Sequence, residues 1–288
     1  MTTTEMSEAP GGVDVHVVGV VHLYEHEGAD IVALRGVDLD IAAGEMVALL
    51  GPSGMGKSTL LRLLAGLMRP SAGQVWVGEA ELSRLSQHQL QQLRASEVSY
   101  VLQETGANLL PFATAAQNVW FAQQGGRRSR RRPTPDPVEL LGLLGLHEVA
   151  HRRVAELPRG VQQQVALAAG VGSSPRLLLA DEPTSQLESG ASAQVVSLLR
   201  SINAQLGTTV VLVTHDPAVA GAFARTVIIR DGRVGAEGRR GEQFAVIDGS
   251  GSVQLPPDVL ERFPPMTRLR VVRHEEGIDL RLDDGPEP

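Results

Sequence analysis

EMVALLGPSGMGKSTLLRLL, residues 45–64, is the stretch whose reading decides the fold. It opens on a short apolar run, 45–50, that reads as a buried strand, and it closes inside a helix expected over 56–67. Between them stand Gly51, Ser53, Gly54 and Gly56, followed at once by Lys57, Ser58 and Thr59. This is the G-x-x-x-x-G-K-[ST] pattern in the place that gives it meaning, directly after a strand and directly before a helix. Successive backbone N–H groups can curl around a phosphate only where small residues leave room, and the helix N-terminus adds partial positive charge. Gly51, Ser53, Gly54, Gly56 and Thr59 are therefore expected at a phosphorylated ligand. Lys57 would neutralise the β- and γ-phosphates, and the Ser58 hydroxyl would ligate Mg2+.

A second run, LLLADE at 177–182, ends an apolar strand on two adjacent carboxylates. By itself such a run is often only a strand leaving the core. With the phosphate loop upstream it gains a purpose: Asp181 would hold Mg2+ through water, and Glu182 would orient and deprotonate an attacking water.

The chain has 288 residues, enough for one large domain or one large and one small. It contains no cysteine, which rules out disulfides and thiolate metal sites. The first residues, MTTTEMSEAP, lack the basic and apolar regions of a secretory signal, and no apolar stretch is long enough to span a bilayer, so a membrane link is expected through a partner. A formal net charge of -7 argues against nucleic acid as the ligand. One basic run, Arg127, Arg128, Arg130, Arg131 and Arg132, reads either as a solvated loop or as a contact with an anionic surface.

Residues 1–12 read as a disordered tail and 13–238 as one domain. Alternation at Val13, Val15 and Val17 and again over 31–41 marks strands. The block 82–169 is mostly helical, with a helical subdomain at about 104–168. Buried strands at 176–180, 208–213 and 226–229, with a helix at 191–206, imply a parallel sheet covered on both faces. After Gly238 the composition changes to short alternating strands, a helical pattern at 257–263 and a hairpin around 275–277, so 239–288 reads as a small separate domain.

Over residues 13–238 the chain resembles the ABC ATPase family. Three more positions carry the likeness: Gln103 in YVLQE, His215 in VLVTHD, and Tyr24. The resemblance implies that Gln103 reaches Mg2+ and the attacking water, that His215 touches the γ-phosphate, and that Tyr24 stacks on adenine. It also implies an α/β P-loop core with an antiparallel β subdomain and a helical subdomain, ATP and Mg2+ as cofactors, and ATP hydrolysis. The expected partners are a transmembrane permease subunit and a second ATP-binding subunit, at the cytoplasmic face of the membrane. The phrases at 32–77 and 108–119 look most like the subgroup serving lipoprotein release and macrolide-type efflux. An ATP-gated regulatory clamp and a soluble non-transport ABC ATPase are the alternatives.

The pattern breaks at Leu157-Pro158-Arg159-Gly160, aligned with the family signature LSGGQ, which completes the opposite subunit's ATP site. Pro158 offers neither hydroxyl nor N–H, although proline is tolerated in a helix's first turn. Glu188 stands where the family usually has Asp. The asymmetry points to a heterodimer with an ordinary second ATPase, with a slow homodimer as the rival. The C-terminal residues 247–282 resemble half of a swapped-hairpin barrel of the AbrB type, which implies pairing with another copy; a hairpin packed on its own ATPase domain is the other reading.

Overall fold

The computed structural model describes residues 11–26, 29–125, 134–239, 242–247, 251, 253, 267–274 and 277–282. The basic run at 127–132 and the helical pattern at 257–263 lie outside these residues, as does the part of the barrel resemblance that rests on them.

The strands form two principal sheets. β1 (Val15–His26) and β2 (Ala29–Ile41) make a long antiparallel ladder. After β3 (Met46–Leu50), helix α1 (Lys57–Leu64) leads to β4 (Ala72–Val77) and β5 (Ala80–Glu81), which complete a four-stranded antiparallel sheet in the order β2-β1-β4-β5. The larger sheet has seven strands, in the order β11-β10-β9-β3-β8-β7-β6. Its parallel part is β6 (Val98–Val101), β7 (Leu177–Asp181), β8 (Thr209–Thr214), β3 and β9 (Arg225–Arg230). β10 (Arg233–Arg239) and β11 (Glu242–Ala245) turn back antiparallel. β11 lies past Gly238 in sequence, yet its register Ala236↔Ala245 to Arg239↔Glu242 extends the seven-stranded sheet.

The two faces of the parallel part follow the period of two along each strand. Val47 and Leu49 of β3, Leu177 and Leu179 of β7, and Val211 and Val213 of β8 point into one core, shared with α1 and the antiparallel sheet. Ala48, Leu178, Ala180, Val210 and Leu212 point into the other, shared with the helices. These are α2 (Gln87–Ser96), α3 (Thr105–Asn108), α4 (Ala115–Gln124), α5 (Pro137–Leu143), α6 (Arg159–Gly170), α7 (Ser189–Leu206) and α8 (Pro217–Ala220), of which α4 to α8 line the second core. Ser86 with Gln89, and Thr114 with Gln117, make capping boxes that set where α2 and α4 start. The mostly helical block thus contains one strand, β6, at the edge of the sheet.

Gly11 and Gly12 fall within the tail expected at 1–12, but their carbonyls accept from the Arg176 guanidinium at 3.1 and 2.9 Å. At the far end β12 (Leu269–His274) and β13 (Gly277–Leu282) pair antiparallel from Leu269↔Leu282 to His274↔Gly277. Among the described residues no helix is long and apolar enough to cross a membrane.

Candidate active site

β3 delivers Gly51 to the sheet's carboxyl edge, where its backbone lies so close to the Ile229 carbonyl of β9 that a Cβ would overlap the oxygen. Gly54 and Gly56 are both left-handed, with φ of 82° and 88°, and a Cβ on Gly56 would overlap the Ala33 carbonyl. The loop is thus pressed between β2 and β9 and then released into α1. α1 is anchored by Leu60, Leu61, Leu63 and Leu64, all buried, each worth about 1.5–3 kcal/mol against leaving it exposed. Gly51→Ala is expected to cost about 1–3 kcal/mol of stability through overpacking, read by chemical denaturation; an unchanged unfolding midpoint would show that the loop can yield.

Lys57 is buried, and its Nζ donates to the Gly51 and Pro52 carbonyls, both at 2.7 Å. Burial lowers its pKa from the ordinary lysine value, while the Glu182 and Asp181 carboxylates act in the opposite sense. Ser58 Oγ donates to Asp181 Oδ1 at 2.9 Å, and the Tyr100 hydroxyl donates to Asp181 Oδ2 at 2.8 Å.

The two adjacent carboxylates are sent in different directions by the backbone. Asp181 ends β7 in extended conformation, but Glu182 has φ 47°, a left-handed geometry that is uncommon for a residue with a side chain. Its N–H donates to the Val213 carbonyl of β8 at 3.0 Å, and its own carbonyl accepts from Ser185 Oγ at 3.0 Å, so neighbouring groups fix the turn. The Glu182 carboxylate then lies 2.6 Å from His215 Nδ1, at the end of β8. Gln103, past the end of β6, donates from Nε2 to the same Ser185 hydroxyl at 3.4 Å. On the opposite wall the Tyr24 hydroxyl pairs with Thr59 Oγ1 at 3.1 Å, and the His22 ring packs edge-on against the Tyr24 ring with centroids 4.9 Å apart.

A cavity of about 580 Å3 is lined by Tyr24, Ser53, Gly54, Gly56, Lys57, Ser58, Thr59, Gln103, Glu182 and His215. Asp181 reaches it through its bond to Ser58. Gly51 lies beneath, as an acceptor for Lys57. The cavity sits beyond the carboxyl ends of parallel strands, where open α/β sheets bind their ligands.

Pro158, Arg159 and Gly160 are not among the residues lining this cavity. Pro158 is the N-cap of α6 without a side-chain hydrogen bond, and Pro158 and Arg159 are exposed. Gly160 lets α6 approach α7, since a Cβ there would come within 2.8 Å of the Ala191 Cβ. Two residues at the site were not singled out from the sequence, Tyr100 and Ser185. The available signal for Tyr100 was its place in the strand leading to Gln103; Ser185 is visible only once Gln103 and Glu182 are known to be neighbours.

The family model described as ABC transporter matches residues 34–185. The chain is similar to the lipoprotein-releasing system ATP-binding protein LolD of Anaeromyxobacter dehalogenans, 43% identical over 209 residues, covering 71% of this chain and 85% of the relative. It is 40% identical over 244 residues to the methionine import ATP-binding protein MetN 2 of Salmonella choleraesuis, covering 84% of this chain and 71% of the relative. Among solved structures, a dimeric ATP-binding cassette in a post-hydrolysis state bound to ADP and Pi superposes with a TM-score of 0.68 at 32% identity, covering 78% of this chain and 98% of that one.

Proposed function

This chain belongs to the ABC transporter family, and from that premise we infer that the cavity between Tyr24, the phosphate loop, Gln103, Glu182 and His215 is its ATP-hydrolysing site. The chain is an ATP-binding subunit of a transporter and an ATPase. The observation that carries the assignment of residues is the convergence around one cavity of Lys57 at the start of α1, Asp181 and Glu182 at the end of β7, and His215 just past β8.

In this reading the loop N–H groups and Lys57 hold the β- and γ-phosphates, with Lys57 exchanging the Gly51 and Pro52 carbonyls for phosphate oxygens. Tyr24 stacks on the adenine. Glu182 takes the proton of the attacking water; its left-handed backbone is fixed by neighbouring groups, and the His215 contact holds its carboxylate at the cavity. Gln103, tethered to Ser185, reports phosphate occupancy to the segment that follows it. Ser58 Oγ and Asp181, 2.9 Å apart, and the Gln103 amide oxygen are hard-oxygen donors of the kind Mg2+ takes and would hold it. The bound metal supplies charge neutralisation on the transferring phosphoryl group.

The partners are a membrane-spanning permease and a second ATP-binding subunit, with this chain peripheral at the cytoplasmic face. The α6 N-terminus supports a heterodimer: Pro158 presents no hydroxyl, Arg159 is exposed, and α6 has no side-chain cap, so the site this chain completes on its neighbour is the weaker one. Affinity purification from detergent-solubilised native membranes is expected to bring down a multi-span protein and a second ATPase with an intact signature. Recovery of the chain as a homodimer with vigorous turnover would sink the heterodimer, and recovery without any membrane protein would sink the transport assignment.

A further inference from the structure

Asp181 is nearly enclosed, and each of its carboxylate oxygens has its own donor on a different element: Ser58 of α1 on Oδ1 at 2.9 Å, and Tyr100 of β6 on Oδ2 at 2.8 Å. The Ser58 contact belongs to the nucleotide site already described. The Tyr100 contact comes from a different element, the edge strand of the sheet. We propose that Tyr100 is a positioning residue for the catalytic metal, holding the Asp181 carboxylate by its outer oxygen so that the inner one faces the metal and the phosphates.

The register explains how the phenol reaches its acceptor. β6 and β7 are parallel, and Tyr100 pairs with Leu179. Asp181 lies two residues beyond Leu179 and so projects on the same face, a diagonal neighbour within reach of a side chain as long as tyrosine. The phenol carries a single hydroxyl hydrogen, and it is directed to Asp181 Oδ2. The Arg62 guanidinium of α1 interacts with the same phenol oxygen, joining the helix of the phosphate loop to the edge strand. Tyr100 also stands three residues before Gln103 on the same segment, so a shift of that segment moves the group that aims Asp181.

The proposal rests on the reading of Asp181 as a metal-holding residue, and the experiment separates the two. Mn2+ binding to the ADP-loaded full chain is measured by electron paramagnetic resonance, alongside ADP affinity in EDTA, for wild type, Tyr100→Phe and Asp181→Asn. Tyr100→Phe removes one hydroxyl and keeps the ring, so the fold is retained, which thermal unfolding checks. Partners that orient a metal ligand are worth about ten- to a hundredfold in metal affinity when removed. The expected result is a loss of Mn2+ affinity of at least about tenfold in Tyr100→Phe, with ADP affinity in EDTA unchanged. A merely structural role would weaken ADP binding equally with and without metal, and that outcome overturns the proposal. Mn2+ affinity lost in Asp181→Asn but unchanged in Tyr100→Phe also overturns it, leaving the metal assignment standing. Mn2+ affinity unchanged in both overturns the assignment of Asp181 and the proposal with it.

Discussion

Glu182→Gln is expected to slow ATP hydrolysis by about a hundred- to ten-thousandfold while ATP still binds, the range over which a positioned general base contributes. The amide is nearly the same shape as the carboxylate, so the left-handed turn at φ 47° and its bonds to Val213 and Ser185 are retained. What is lost is the ability to accept a proton. The amide oxygen can still face His215, so the wall of the cavity persists and nucleotide binding has no reason to fail. Phosphate release by the assembled transporter, compared with fluorescent-ATP affinity, separates the two effects. Hydrolysis within threefold of wild type would mean that another group takes the proton.

Lys57→Ala acts at the earlier step. Its ammonium makes two 2.7 Å bonds to the loop's own carbonyls, which in the proposed reading it exchanges for bonds to phosphate. Hydrogen bonds to charged groups are worth about 1.5–3 kcal/mol each. Losing two of them weakens ATP binding by at least about a hundredfold, since each 1.4 kcal/mol is a factor of ten. The loss is aggravated by charge. Without Lys57 the cavity keeps the Asp181 and Glu182 carboxylates but loses the cation that their charges favour. Calorimetric titration with ATP reads the affinity directly, and a value within threefold of wild type would remove Lys57 from the phosphate site. The two variants divide the reaction between them: one slows the chemistry with the nucleotide in place, the other weakens the complex.

Much of this candidate site is legible in the sequence. The phosphate loop is a local device whose requirements, small residues, a strand before and a helix after, all lie within residues 45–67, and its conformation follows from backbone sterics. The strands read correctly for a similar reason. Val47, Ala48 and Leu49 are continuously apolar because successive side chains enter two different cores, so a strand buried on both faces leaves an uninterrupted apolar run. β6 was harder to separate from the helical block around it. It is short, and only its hydrogen bonds to β7, on a distant segment, decide its conformation.

The sequence by itself therefore determined the nucleotide loop, the adjacent carboxylates and the α/β class, because each depends on neighbours within a few residues of chain. Only the tertiary structure decided that Asp181 has a donor on each carboxylate oxygen while Glu182 turns away to meet His215. Those contacts join residues 58, 100, 181 and 215 through the order β3-β8-β7-β6. A strand order is a non-local choice, set by which apolar faces pack together, and no short stretch of sequence carries it.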